Sequence, residues 1–168
     1  RIWSTASSTG EEPYTLAMVF QLFSETRSEI KFHITATDIS SRVLEHALQG
    51  IYTTERAAPI PEEYKKRYIL RSRDRERQLV RLRPEIRSKV SFHRMNLMQA
   101  FSFSKQFQIV FCRNMIIYFE RPDQLKLLRN LFHQLTPGGY LFLGHSETLT
   151  GMEIDLHSVA PTIYQKPF

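Results

Sequence analysis

The sequence predicts an α/β fold: a mostly parallel, doubly wound sheet with helices on both faces and a small antiparallel insertion. Three observations predict it. Strand-like apolar runs alternate with amphipathic helical stretches over most of the chain. The residues just after those runs are mostly polar, which is where an open α/β sheet keeps its ligands. One charged block, residues 52–89, breaks the alternation and reads as an insertion projecting from the main sheet.

The elements follow in order. Arg1–Ser4 reads as the end of a strand, and Ser7-Ser8-Thr9-Gly10 as a turn. Glu11-Glu12-Pro13 opens a helix with acid in its first turn, and Tyr14–Phe23 continues it with a broad apolar face. Ile30–Thr37 alternates as a strand and ends at Asp38. Ser40 or Ser41 caps a helix reaching about Leu48, and Gly50 ends it. The block that follows holds a Pro-containing loop (Ala57–Pro61), a short helix (Glu62–Arg67) and strand-like pieces at Tyr68–Arg71 and Leu79–Arg83. Val90–Arg94 and Gln108–Cys112 are strands. Arg121–Leu135 is an amphipathic helix stopped by Thr136-Pro137-Gly138-Gly139. Tyr140–Leu143 is another strand, and Val159–Gln165 supplies a last one.

The totals narrow the classes. The chain has 168 residues, enough for one domain with a proper core, and is 42% apolar and 24% charged. No window approaches the roughly 18 apolar residues of a membrane helix. Arg1-Ile2-Trp3 resembles the middle of a strand more than a signal peptide, so the chain reads as a crop of something longer. The single cysteine, Cys112, permits no internal disulfide and fits a cytoplasmic setting. The six histidines are scattered, and no Cys/His cluster has zinc-like spacing, so no metal is expected. The formal charge of +6 is uneven: Tyr64–Lys89 holds eleven Lys/Arg and three Asp/Glu, a local +8 that leaves −2 for the remainder.

Asp38 is the clearest site candidate. It ends the second strand 28 residues after Gly10, where a carboxylate can accept both hydroxyls of a ribose; Asp-Ile-Ser also reads as a helix-capping sequence. The first loop, "STASSTGEE", has one glycine where a pyrophosphate cradle would have two or three. Its small residues let a ligand approach the backbone, but Glu11 and Glu12 repel phosphate and suit a cation. This argues against NAD or ATP and for a cationic, phosphate-free ligand such as S-adenosylmethionine (SAM). In "FCRNMIIYF", Arg113 and Asn114 interrupt an apolar run, as expected where a strand ends at the ligand edge. Arg113 can hold a carboxylate by charge-assisted hydrogen bonds or form a structural ion pair with Glu120 or Glu147. Tyr118 can turn back to the same edge or be a core aromatic.

"WSTASSTGEEPYTLAM", "ATDIS", "NLM", "FCRNMIIYFE" and "LTPGGYLFLGHSE" stand in the order and spacing of the CheR chemotaxis receptor methyltransferases. The resemblance covers essentially the whole chain, and "TGEEPY" and "FCRNxxIYF" are its specific parts. It implies a Rossmann-like class I SAM-dependent methyltransferase fold and SAM-dependent methylation of receptor glutamates, with S-adenosylhomocysteine (SAH) as product. It also implies site roles. Glu12 would contact the amino end of the cofactor, Asp38 the ribose, and Asn96 and Leu97 the adenine pocket. Arg113 and Asn114 would border the methionine part, and Arg113 and Tyr118 the methyl-transfer site. The insertion would correspond to the family's β-subdomain, which contacts the receptor and in some members grips a receptor peptide. The family's helical N-terminal domain has no counterpart in this sequence.

The expectation is therefore a monomeric protein-glutamate O-methyltransferase that docks the cytoplasmic helices of chemoreceptors, with no nucleic acid and no membrane insertion. Two alternatives are a non-catalytic SAM/SAH-binding signalling module and a nucleic-acid methyltransferase. The basic segment suggests the second, while the lack of an Asn/Asp-Pro-Pro-aromatic motif opposes it.

Overall fold

The second and third residues of the chain found its two cores. In the computed structural model, which describes residues 1–74 and 76–168, the first strand is β1 (Ile2–Ser4). Arg75, counted above in the basic segment, lies outside the described residues. Successive strand side chains leave on opposite faces. Ile2 therefore joins Met18, Ile34 and Ile86 on one side, while Trp3 joins Phe107, Leu128 and Leu141 on the other.

The chain continues through α1 (Glu11–Thr26), β2 (Ile34–Asp38) and α2 (Ser41–Gln49). The insertion follows: β3 (Ile51–Thr53), α3 (Thr54–Ala57), α4 (Glu62–Tyr68), β4 (Ile69–Arg71), β5 (Leu79–Leu82) and α5 (Pro84–Arg87). Then come β6 (Val90–Arg94), β7 (Phe107–Cys112), a 3-10 turn (Ile116–Tyr118), α6 (Arg121–Gln134), β8 (Leu135–Leu143), β9 (His157–Ala160) and β10 (Ile163–Gln165). The main sheet has seven strands in the order β6-β2-β1-β7-β8-β10-β9. The first five are parallel, and β10 runs antiparallel to both of its neighbours. The insertion forms its own antiparallel sheet, β3-β5-β4. The expected α/β architecture is present, with the small antiparallel sheet beside it.

Trp3 is fully buried, with Phe101, Phe103 and Phe107 centred 5.4, 4.9 and 5.4 Å from its ring. Its indole N–H donates to Thr37 Oγ1 at 3.0 Å, and that hydroxyl donates to the Thr5 carbonyl at 2.8 Å. Both polar groups of the buried pair are thus satisfied, as burial requires.

The short elements β3, α3 and α5 are not expected from the sequence, and three further elements differ from the expectation. The strand expected from Ile30 begins at Ile34, because its partners begin at Ile2 and Val90 and offer no ladder further back. Strand β8 starts at Leu135, so Pro137-Gly138-Gly139 lies inside a strand; the pairing with β7 is irregular there, and Gly138 has φ 70°. The single strand expected over Val159–Gln165 is a hairpin. Pro161 has no N–H to give a ladder, and Thr162 turns the chain at φ 60°.

Truncating Trp3→Ala should destabilise the fold by about 3–5 kcal/mol, measurable by equilibrium denaturation. A loss under about 1 kcal/mol would mean that the aromatic cluster does not organise the second core.

Candidate functional site

Strand order reverses between β1 and β7: β1 leads on to β2 at one side, and β7 to β8 at the other. A crevice opens at such a switch point, beyond the carboxyl ends of the strands. Ser4 and Cys112 are the last residues of the two strands there.

The loop after β1 is held by backbone bonds from both neighbours. Thr5 N–H donates to the Phe111 carbonyl and Ser7 N–H to the Thr37 carbonyl, each at 2.9 Å. Ser8 adopts φ 47° and Gly10 φ 93°, so the loop coils tightly before α1 begins. Gly10 has no alternative: a Cβ there would lie 2.9 Å from the Ala47 Cβ and from the Tyr52 hydroxyl. Thr5 and Ser7 are buried, yet neither hydroxyl has a hydrogen-bond partner.

The two acids that open α1 do different things. Glu12 bridges the switch point: one carboxylate oxygen accepts from Ser4 Oγ at 2.8 Å and the other from Arg113 Nη1 at 3.3 Å. Glu11 faces the insertion instead, where it is ion-paired with Arg56 and accepts from Thr9 Oγ1. The expected structural partners of Arg113, Glu120 and Glu147, are therefore replaced by Glu12.

Asp38 takes up the capping role that the sequence allowed and adds a contact to the first loop. One carboxylate oxygen accepts Ser40 N–H at 2.9 Å and leads the chain into α2; the other accepts Ser8 N–H at 2.9 Å and pins the first loop. Each oxygen keeps a further acceptor position. Asn96, two residues beyond β6, accepts Met98 N–H through Oδ1 at 3.0 Å. Leu97 beside it is buried in the Trp3 core.

Beyond β7 the backbone reverses through Asn114 at φ 56°. The reversal is held by Glu147, a residue only 5% exposed. Its carboxylate accepts N–H groups from Gly144 at 2.6 Å, Asn114 at 3.0 Å, Met115 at 2.9 Å, Ile116 at 2.8 Å and Ile117 at 3.4 Å. Sequence reading placed Glu147 near the site but missed this role; the signal was a buried-looking acid three residues after Gly144. A Cβ on Gly144 would lie 2.7 Å from Glu147 Oε2. Tyr118 follows in the 3-10 turn with 79% of its surface exposed, so it is not a core aromatic. The structure brings Glu12, Ser4 and Arg113 into contact and pins Asp38 to the same loop; it shows no contact from Tyr118 or Asn96 to that group.

Residues 1–164 match the family described as CheR methyltransferase, SAM binding domain. The chain belongs to that family. Among relatives of the CheR domain, the chemotaxis protein methyltransferase of Borreliella burgdorferi is 39% identical over 99% of this chain. Chemotaxis protein methyltransferase 2 of Pseudomonas aeruginosa is 39% identical over 98%. The chain spans 58% and 59% of those two proteins. A glycopeptide N-methyltransferase, MtfA, solved with SAM, superposes with TM-score 0.53 at 16% identity over 94% of this chain and 49% of its own. That likeness shows the class I SAM-dependent methyltransferase fold.

SAM is the cofactor of the CheR domain, and the residues present fit it. The strand ends offer spare acceptor capacity on Glu12 and Asp38, and the first loop contributes no lysine or arginine. Such a lining suits a cationic ligand without phosphate. Among the described residues no group of three His, Cys, Asp or Glu could hold a metal ion, and no helix is long and apolar enough to cross a membrane.

Replacing Glu147→Ala strands several backbone N–H groups at once and should cost about 3 kcal/mol or more. Thermal denaturation alongside a conservative surface variant reads this directly; an unchanged melting temperature would contradict the clamp.

Proposed function

We propose that this chain is the catalytic part of a cytoplasmic, monomeric protein-glutamate O-methyltransferase that esterifies glutamates on the cytoplasmic helices of chemoreceptors. The observation that carries it is Arg113, the residue just after β7, held by Glu12. Only one of its five N–H donors is used by that ion pair. The others are donors left for a second carboxylate, that of the substrate, through charge-assisted bonds.

When bound, SAM supplies an electrophilic methyl group on a sulfonium. Asp38 would hold its ribose hydroxyls, Glu12 its amino group, Asn96 and Leu97 its adenine, and Asn114 its methionine portion. A glutamate carboxylate is ionised at pH 7, so the chain needs no strong general base. Its work is alignment. Arg113 orients the attacking carboxylate, and the exposed Tyr118 hydroxyl is free to fix its second oxygen.

The insertion supports an acidic partner. Among the described residues, Lys66, Arg71, Arg73 and Arg81 are exposed and have no ion pair, whereas Lys65, Arg67 and Arg77 are paired. A row of unpaired cations attracts an acidic helix, and the attraction weakens with salt.

Titration calorimetry with SAH comes first. Asp38→Ala should weaken binding at least about tenfold, since two charge-assisted contacts are lost. Transfer of labelled methyl to a glutamate-bearing receptor helix follows, and Arg113→Ala should slow it about 100-fold. SAH binding without transfer to the receptor helix would favour a signalling module. Transfer to DNA or RNA in its place would overturn the receptor reading.

A further inference from the structure

The loop of residues 5–10 is anchored from two different sheets. Asp38, at the end of β2 in the main sheet, accepts Ser8 N–H at 2.9 Å. Tyr52, in β3 of the inserted sheet, donates its hydroxyl to the Thr9 carbonyl at 2.7 Å. The two anchored groups belong to neighbouring residues, so the loop cannot shift without straining one of them.

Tyr52 is built for this contact. It is 7% exposed, lies edge-on to Tyr14 at 6.4 Å and packs against His46 at 5.7 Å. Burial raises its pKa, so the phenol stays protonated and remains a donor. Its hydroxyl also occupies the space that any side chain at Gly10 would need. Arg56, from α3 of the insertion, adds a more exposed tie to Thr9 Oγ1 at 3.4 Å and to Glu11. Exposed pairs of this kind contribute little by themselves. The buried Tyr52 bond is the principal link.

The conformation of Thr9 and Gly10 determines where α1 begins, and so where Glu12 stands between Ser4 and Arg113. We propose that Tyr52 is a positioning residue through which the inserted sheet sets the cofactor loop and thereby the affinity for cofactor. This rests on the SAM-binding reading of the crevice. Linkage makes the coupling reciprocal: a partner that docks on the insertion and shifts Tyr52 changes cofactor affinity, and cofactor changes docking by the same factor.

The test uses two matched variants. Tyr52→Phe removes only the hydroxyl. Tyr14→Phe removes an equivalent buried bond, from Tyr14 to the Ala47 carbonyl at 2.8 Å, that does not touch the loop. Calorimetry with SAH should show Tyr52→Phe weaker by about fivefold to tenfold, the weight of one hydrogen bond, with Tyr14→Phe within twofold of the unaltered chain. Without ligand, hydrogen exchange at the Ser8 and Gly10 amides should quicken in Tyr52→Phe alone. Unaltered affinity and exchange in Tyr52→Phe would overturn the proposal. Equal losses in both variants would also overturn it, since they would report stability only. Failure of the unaltered chain to bind SAH would refute the cofactor reading instead, and the exchange comparison would still decide whether Tyr52 holds the loop.

Discussion

A buried carboxylate is costly unless donors surround it, and Glu147 is surrounded by backbone. Five N–H groups from two separate strand ends converge on it. Four of them belong to the consecutive residues Asn114, Met115, Ile116 and Ile117, where the chain leaving β7 doubles back with Asn114 at φ 56°. Remove the carboxylate and those amides face each other inside the protein without acceptors. The clamp therefore determines how the segment beyond β7 is presented: Arg113 just before it, paired with Glu12, and Tyr118 just after it on the surface. Gly144 is part of the same device, because only a residue without Cβ lets the Glu147 side chain fold back onto its own backbone.

On the other side of the switch point the chain uses adjacent acids for different tasks. Consecutive helical residues point in different directions. Glu11 and Glu12 consequently cannot share a target, although their sequence suggests a single acidic patch. Glu12 ties β1 to Arg113 across 101 positions of sequence, while Glu11 and Thr9 meet Arg56 of the insertion. The crevice and the inserted sheet are thus joined through one turn of helix and one loop. The insertion is part of the support of the loop after β1 as well as a basic surface.

Local patterns made much of this legible. Val90–Arg94 and α2 with its Gly50 terminus fall where alternation and capping place them. Asp38 and Arg113 stand at strand ends because an apolar run followed by a polar residue marks such an end in either neighbour's absence. The family relationship was also legible, since motif order along a chain survives without any coordinates.

What the sequence alone determined is most of the main-sheet strands and long helices, their α/β class and the polar residues that top the strands, all of which depend on neighbours a few positions apart. The tertiary structure decided the rest. It started β2 at Ile34 because β1 and β6 are short, folded the last segment into a hairpin, gave Arg113 to Glu12, and gave the Thr9 carbonyl to Tyr52. Those choices depend on strand register and on which helix packs beside which loop. Such partners lie tens of residues apart, and no short-range pattern encodes the distance between them.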